Sequence, residues 1–230
     1  MKFIDEKKTF ELNENAKLEI VYINDSPYHY IQITDFYKHP KLVNELAHTI
    51  PLSNDPDMAG GLPTGPDSGR INATYNLTHF TEYFGDIISE HFEPTLSLRP
   101  GKEESLRDCL SRTTFMINVM TGNNLPVRCP HVDTFEDGFY AASIGLTPPS
   151  ECKGGTAFYN FTGEFPSPEA AVEDITEYMS DSAGNWKMIH LAELAWNKCI
   201  IYPSNWWHHA YVKPGWFTNG SYRLTQQMFI

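Results

Sequence analysis

From Thr113 to Ile230 the chain is a succession of short apolar or aromatic runs, each closed by Gly, Pro or Asn. The runs are Thr113 to Met120, Phe139 to Leu146, Thr156 to Phe161, Met188 to Leu194, Lys198 to Tyr202, Trp207 to Val212 and Tyr222 to Phe229. Brief runs rich in β-branched and aromatic residues, cut by turn formers, are how an antiparallel all-β domain is written. Seven of them in about 120 residues point to a sandwich or jelly roll. One helix interrupts the series, with Ser167 as N-cap, Pro168 in the first turn and Val172, Ile175 and Met179 as its apolar stripe. It is expected on the outside of the barrel.

The region before Thr113 is patterned differently. Strands are expected at Lys17 to Ile23 and Tyr30 to Thr34, then a helix opened by Pro40 with Leu42, Leu46 and Ile50 on one face. Pro51 to Arg70 carries four prolines and four glycines and reads as a long loop, either a lid or a disordered insertion. Phe80, Phe84 and Ile87 mark a further helix. The expectation is a single domain over 1–230, mainly β with flanking helices: strands, helices and a loop in 1–112, and the β core in 113–230.

Charge narrows the partners. With 17 basic and 29 acidic side chains the net charge is −12, which repels phosphate backbones and anionic lipid, so no nucleic acid is expected. The longest apolar stretches, such as Cys199 to Tyr202, are far below the roughly 20 residues that span a bilayer. Charge interrupts the apolar residues of Met1 to Lys8 at once, so a cytoplasmic location is expected. Cys109, Cys129, Cys152 and Cys199 form no Cys-x-x-Cys pair and are expected as reduced, mostly buried thiols.

Chemistry concentrates in three places. Cys129-Pro130-His131-Val132-Asp133 puts an imidazole and a carboxylate two residues apart, so in extended chain both point to one side. His208 opens a late strand after Tyr202-Pro203-Ser204, and in a jelly roll the two segments are expected to face each other across the barrel mouth. Two imidazoles and one carboxylate on one face of a metal leave three positions open, the arrangement of non-haem Fe(II) sites. His209 follows directly, but strand alternation sends it to the opposite face. Fifteen residues after His208 stands Arg223, with Thr225 on the same strand face; a guanidinium fork plus a hydroxyl is a ready clamp for a carboxylate.

The order His-x-Asp, Gly154-Gly155, Pro-Ser-x-x-x-His and Arg resembles the Fe(II)/2-oxoglutarate-dependent dioxygenases, especially their prolyl-4-hydroxylase-like branch, over Thr113 to Ile230. The resemblance implies a double-stranded β-helix with N-terminal supporting α-helices. It implies His131, Asp133 and His208 as iron ligands, and Arg223 with Thr225 on the distal carboxylate of 2-oxoglutarate. It further implies Fe(II) and 2-oxoglutarate as cofactors, ascorbate as reductant in vitro, and dioxygen with a protein or small-molecule substrate as partners. The reaction would hydroxylate an unactivated C–H while 2-oxoglutarate loses carbon dioxide to give succinate. Asp133 argues against halogenation, because related halogenases carry a small residue there.

Two features depart from the pattern. Gly145 falls where that branch usually has a co-substrate-binding tyrosine, for which Tyr140 or Asn118 would compensate. Lys213 to Gly220 lengthens the path to Arg223 and is expected as a hairpin turn. Near the site, Arg128 is either a substrate contact or a solvated loop residue, and Trp206, Trp207 and Trp216 are either a platform or packing. The alternative function is a non-catalytic jelly roll, structural or cupin-like. A metal-dependent isomerase or an oxygenase of another type would leave Arg223 without a task.

Overall fold

A computed structural model describes residues 4–24, 26, 28–49, 69–73, 77–92, 115–120, 125, 130–133, 138–163, 177–218 and 220–230. Along the chain these form α1 (Glu6–Thr9), β1 (Lys17–Tyr22), β2 (His29–Thr34), α2 (Pro40–Thr49), β3 (Gly69–Ala73) and α3 (Thr78–His91). There follow β4 (Phe115–Met120), β5 (Tyr140–Gly145), β6 (Gly155–Phe161), β7 (Trp186–Glu193), β8 (Cys199–Pro203), β9 (His208–Tyr211) and β10 (Arg223–Phe229). Every run expected to be a strand is one, with ends that differ by no more than two residues in either direction. Of the expected helix from Ser167, residues 167–176 lie outside the described residues, and Met179, placed on its apolar stripe, is buried but not helical; residues 51–68 of the expected loop also lie outside. The loop's last two residues are instead the start of β3, which pairs with β4.

The strands make two antiparallel sheets, ordered β1-β2-β8-β5-β10-β4-β3 and β7-β6-β9. A bridge from His131 to His208 extends the smaller sheet past β9. From β5 onward the chain alternates between the sheets, β6 and β7 in the small one, β8 back in the large, β9 in the small, β10 in the large. That winding is the jelly roll, a double-stranded β-helix. The N-terminal region does more than support it: β1 and β2 continue the large sheet beyond β8, and β3 continues it beyond β4.

Alternation along the strands divides the interior. Ala142 and Ile144 of β5, Cys199 and Ile201 of β8, and Leu224 and Met228 of β10 face a core roofed by helices. There Val43, Leu46 and Ala47 of α2 meet Phe80, Phe84, Ile87 and Ile88 of α3. The buried face of α2 is thus centred on Val43 rather than Leu42, which is half-buried. Each large side chain so buried contributes roughly 1.5–3 kcal/mol. The other face of the large sheet looks into the barrel, where Ala141, Ile200 and Tyr202 meet Phe158 and Ala192 of the small sheet. Among the described residues no helix is long and apolar enough to cross a membrane.

Candidate metal centre

His131 and His208 are not opposed across the barrel mouth, as expected from the sequence, but are neighbours in one sheet. Their backbones exchange two hydrogen bonds, His131 N to His208 O and His208 N to His131 O, each 2.9 Å. Directly paired residues project to the same face, and the two rings lie 4.5 Å apart between centroids. Asp133, two residues on, returns to that side, and its backbone N–H donates to Ser204 O at 2.9 Å, tying it to the turn that leads into β9. Its carboxylate stands 3.8 Å from His131 Nε2 and 3.5 Å from His208 Nε2.

The imidazole of His208 is oriented by its own chain. Its Nδ1 lies 2.9 Å from the carbonyl of Trp206, which can only accept, so Nδ1 carries the proton and the Nε2 lone pair faces Asp133. A histidine fixed in this way is a prepared metal ligand. One ligand atom from each of His131, Asp133 and His208 lies within 4.8 Å of the others. Side-chain exposure is 29% for His131, 18% for Asp133 and 7% for His208, so the cluster is anchored on the buried side and reachable on the other. These residues fit a divalent cation, and two imidazoles with one carboxylate suit Fe(II). His209 turns to the opposite face, its ring 4.5 Å from that of Tyr178.

Arg223 is buried at the start of β10. Its Nη2 donates to the carbonyl of Gly155 at 3.1 Å and its Nη1 to Thr225 Oγ1 at 3.3 Å. Gln227 Nε2 donates to the same Thr225 oxygen at 3.1 Å and to Ser143 Oγ at 2.9 Å. Thr225, fully enclosed, therefore accepts on both lone pairs and keeps its own proton for an outside acceptor. The glycine pair is a requirement of packing: a Cβ on Gly154, whose φ is +82°, would meet Tyr211 O at 2.2 Å, and one on Gly155 would meet Ala192 O at 2.1 Å.

The remaining sequence candidates separate. Tyr140 is on the wrong face: it packs under the helices, its ring 4.7 Å from Phe92, while Ser143 and Thr225 belong to the barrel side. Asn118 is the register partner of Thr225 across the β10–β4 ladder. Gly145 is Thr225's partner on the other side, and a Cβ there would strike Ala195 O at 2.1 Å, so no side chain fits. The tryptophans form no common platform. Trp206 packs tilted against Tyr28 and edge-on to Phe158 in the barrel, Trp207 edge-on to Trp186 on the outer face, and Trp216 edge-on to Tyr211 and Phe217. Cys199 is buried and Cys152 half-buried, both free, with burial pushing their thiols up. Arg128, Cys109 and Cys129 lie outside the described residues.

Sequence reasoning missed Tyr202 and Gln227. Tyr202 of β8 is buried with its ring 4.9 Å from His208 and 5.2 Å from Phe158. Burial holds its phenol well above the ordinary value; the charge of Asp133 adds to that and Arg223 opposes it. The signal available was positional: Tyr202 shares parity with Ile200 on the barrel face, opposite Cys199 and Ile201.

A family model described as "Family of unknown function (DUF6445)" matches residues 14–230. No curated protein matches the chain. Solved structures with a similar course include HygX from Streptomyces hygroscopicus, described with nickel and 2-oxoglutarate bound, at 11% identity and TM-score 0.47 over 87% of this chain and 81% of that one. The non-heme alpha ketoglutarate dependent epimerase SnoN from nogalamycin biosynthesis is 12% identical, TM-score 0.39, over 87% and 77%. AviO1 from Streptomyces viridochromogenes Tue57 is 14% identical, TM-score 0.36, over 83% and 81%.

Proposed function

The chain belongs to the DUF6445 family, and we propose that it is an Fe(II)- and 2-oxoglutarate-dependent oxygenase that hydroxylates an unactivated C–H of a small molecule or protein side chain. The observation that carries this is the pairing, inside one jelly roll, of a prepared His-Asp-His cluster with a buried guanidinium and hydroxyl on the inner face of β10. One half suits a divalent metal with open positions, and the other suits a carboxylate. The order of these motifs along the chain favours the prolyl-4-hydroxylase-like branch, with Gly145 as its local departure.

His131, Asp133 and His208 would hold the iron. Bound there with 2-oxoglutarate and dioxygen, iron supplies an oxidant for C–H bonds while the oxo acid becomes succinate. The protein's own contribution is placement. Trp206 O keeps the His208 lone pair aimed at the cation, and the His131–His208 bridge fixes the spacing of the two imidazoles. Arg223 and Thr225 would take the distal carboxylate, with Asn118 nearby in register. Phe158, Tyr202 and Trp206 wall the barrel beside His208 and keep water from that side.

The test is succinate formation from 2-oxoglutarate with Fe(II) and ascorbate under air, with the anaerobic Fe(II)/2-oxoglutarate charge-transfer band as a turnover-independent readout. Wild type is expected to give the band, and Asp133→Ala and Arg223→Ala to lose it while still folding by circular dichroism. A wild type silent in both assays overturns the proposal and leaves the non-catalytic jelly roll.

A further inference from the structure

We propose that β1 is a pairing edge for a second copy of this chain, so that the large sheet continues through a two-fold axis at Leu18 into the large sheet of a partner protomer. The edge carries none of the residues assigned to the metal or the carboxylate, and its role stands apart from the function proposed above.

β1 is the outermost strand of the large sheet, and among the described residues nothing pairs with its far side. Its phase follows from the hairpin. The N–H of Ile23 donates to Tyr28 O at 2.9 Å, and from there to Lys17 the register with β2 runs without a shift. Alternate residues of an antiparallel ladder face the partner strand, so Val21, Glu19 and Lys17 bond to β2 while Tyr22, Ile20 and Leu18 turn their main-chain groups outward. On β7, the outer strand of the small sheet, Met188 N–H is instead taken up by Ser182 Oγ at 2.9 Å.

The side chains beside these open groups are apolar. Of the three large apolar side chains exposed among the described residues, two are Leu18 and Tyr22, at 38% and 72%, and Ile20 between them is half-buried. Leu18 and Ile20 stand opposite Ile33 and Ile31, which are fully buried under the helices. The apolar layer thus runs out onto β1 beyond its cover. An open ladder with exposed apolar side chains is a template for another strand.

Charge selects the strand that fits. Lys17 and Glu19, exposed on the other face of β1, have opposite signs two residues apart. With Leu18 on a two-fold axis, Lys17 of each copy stands directly opposite Glu19 of the other, Leu18 meets Leu18, and Ile20 lies opposite Ala16. Unlike charges directly opposed stabilise a strand pair, and like charges destabilise it. An axis at Glu19 sets glutamate against glutamate. An axis at Ile20 sets Glu19 against Val21 and Lys17 against Ile23, charge against apolar side chain. β1 is therefore its own complement in one register, the self-matching that a two-fold interface requires.

The experiment is sedimentation equilibrium of the full chain over a dilution series, with circular dichroism as the check that each surface variant keeps its fold. Wild type is expected as a monomer–dimer equilibrium. Lys17→Glu leaves the bond from Gln32 to Glu19 at 2.6 Å in place but opposes two pairs of like charges, and should raise the dimer Kd about tenfold or more. Combining Lys17→Glu with Glu19→Lys exchanges the signs and should restore the dimer. Leu18→Cys brings two thiols across the axis at a Cα spacing of about 5.5 Å, within disulfide reach, so mild oxidation should cross-link it, while Tyr22→Cys and wild type stay uncross-linked. A wild type that remains monomeric throughout overturns the proposal and leaves β1 an edge guarded by its charges. A dimer that Lys17→Glu leaves intact also overturns it, as does a charge exchange no better than Lys17→Glu alone, or a Leu18→Cys chain no more cross-linked than Tyr22→Cys.

Discussion

Thr225→Val is nearly isosteric and removes a single oxygen, yet the structure gives that oxygen two jobs. It accepts from Arg223 Nη1 at 3.3 Å and from Gln227 Nε2 at 3.1 Å, in a site with no exposure. Gln227 retains its bond to Ser143 at 2.9 Å, so its loss is the smaller one, about 0.5–1 kcal/mol. Arg223 loses a charge-assisted bond, about 1.5–3 kcal/mol, although its contact to the Gly155 carbonyl at 3.1 Å remains. The sum is about 2–4 kcal/mol before any ligand is added. At roughly 2–4 °C per kcal/mol for a chain of this size, the thermal midpoint should fall by about 4–16 °C. Thr225→Ser is the control: it loses one methyl, about 1 kcal/mol, and keeps both bonds. The assay is thermal unfolding by circular dichroism of the metal-free protein, Val against Ser against wild type. If Val unfolds at or above the temperature of Ser, the oxygen is not satisfying Arg223 and Gln227, and the proton assigned to an outside acceptor has no basis.

Two further outcomes follow from packing and titration. Gly145→Ala places a Cβ 2.1 Å from Ala195 O and strains the bonds joining Gly145 to Asn197 and Lys198, so a loss of about 1–3 kcal/mol is expected in chemical denaturation; a wild-type midpoint would show that the turn yields freely. His190 Nε2 lies 3.2 Å from Tyr30 OH; burial pushes the imidazole below its ordinary 6.5 and the phenol up to about 12, so the pair is neutral with tyrosine donating. The unfolded chain therefore takes up a proton as pH falls through 6.5 while the folded chain resists, and stability declines over that interval down to the folded value. His190→Gln should flatten that part of the stability profile, and an unaltered slope would assign it to other groups.

The strands were legible because turn formers bracket them, and the cluster of His131, Asp133 and His208 because their types and order are unusual together. The partnership was not. Whether His131 and His208 oppose or adjoin depends on pairing between segments 77 residues apart, which no local pattern encodes. Tyr140 was misplaced for a definite reason: all six residues of β5 are buried, since helices cover one face and the barrel lies on the other. With both faces apolar, the period of two that reports orientation vanishes. β3 escaped because Gly-Arg-Ile-Asn-Ala has almost no strand character of its own and follows a stretch full of Pro and Gly; it owes its form to the ladder with β4. Tyr202 looked like punctuation before a turn, and only the sheet shows it inside the barrel beside His208.

The place of β10 bears on how the molecule is made. It lies in the middle of the large sheet, between β5 and β4, and it is synthesised after every other described strand. Until residues 223–229 emerge, β4 and β5 each present an open edge to solvent or to a neighbouring nascent chain, the condition that invites edge-to-edge aggregation. The same segment brings Arg223 and Thr225. Closing the sheet and bringing Arg223 and Thr225 to the barrel face are therefore one event, and a chain stalled short of it is exposed to chaperones and proteases.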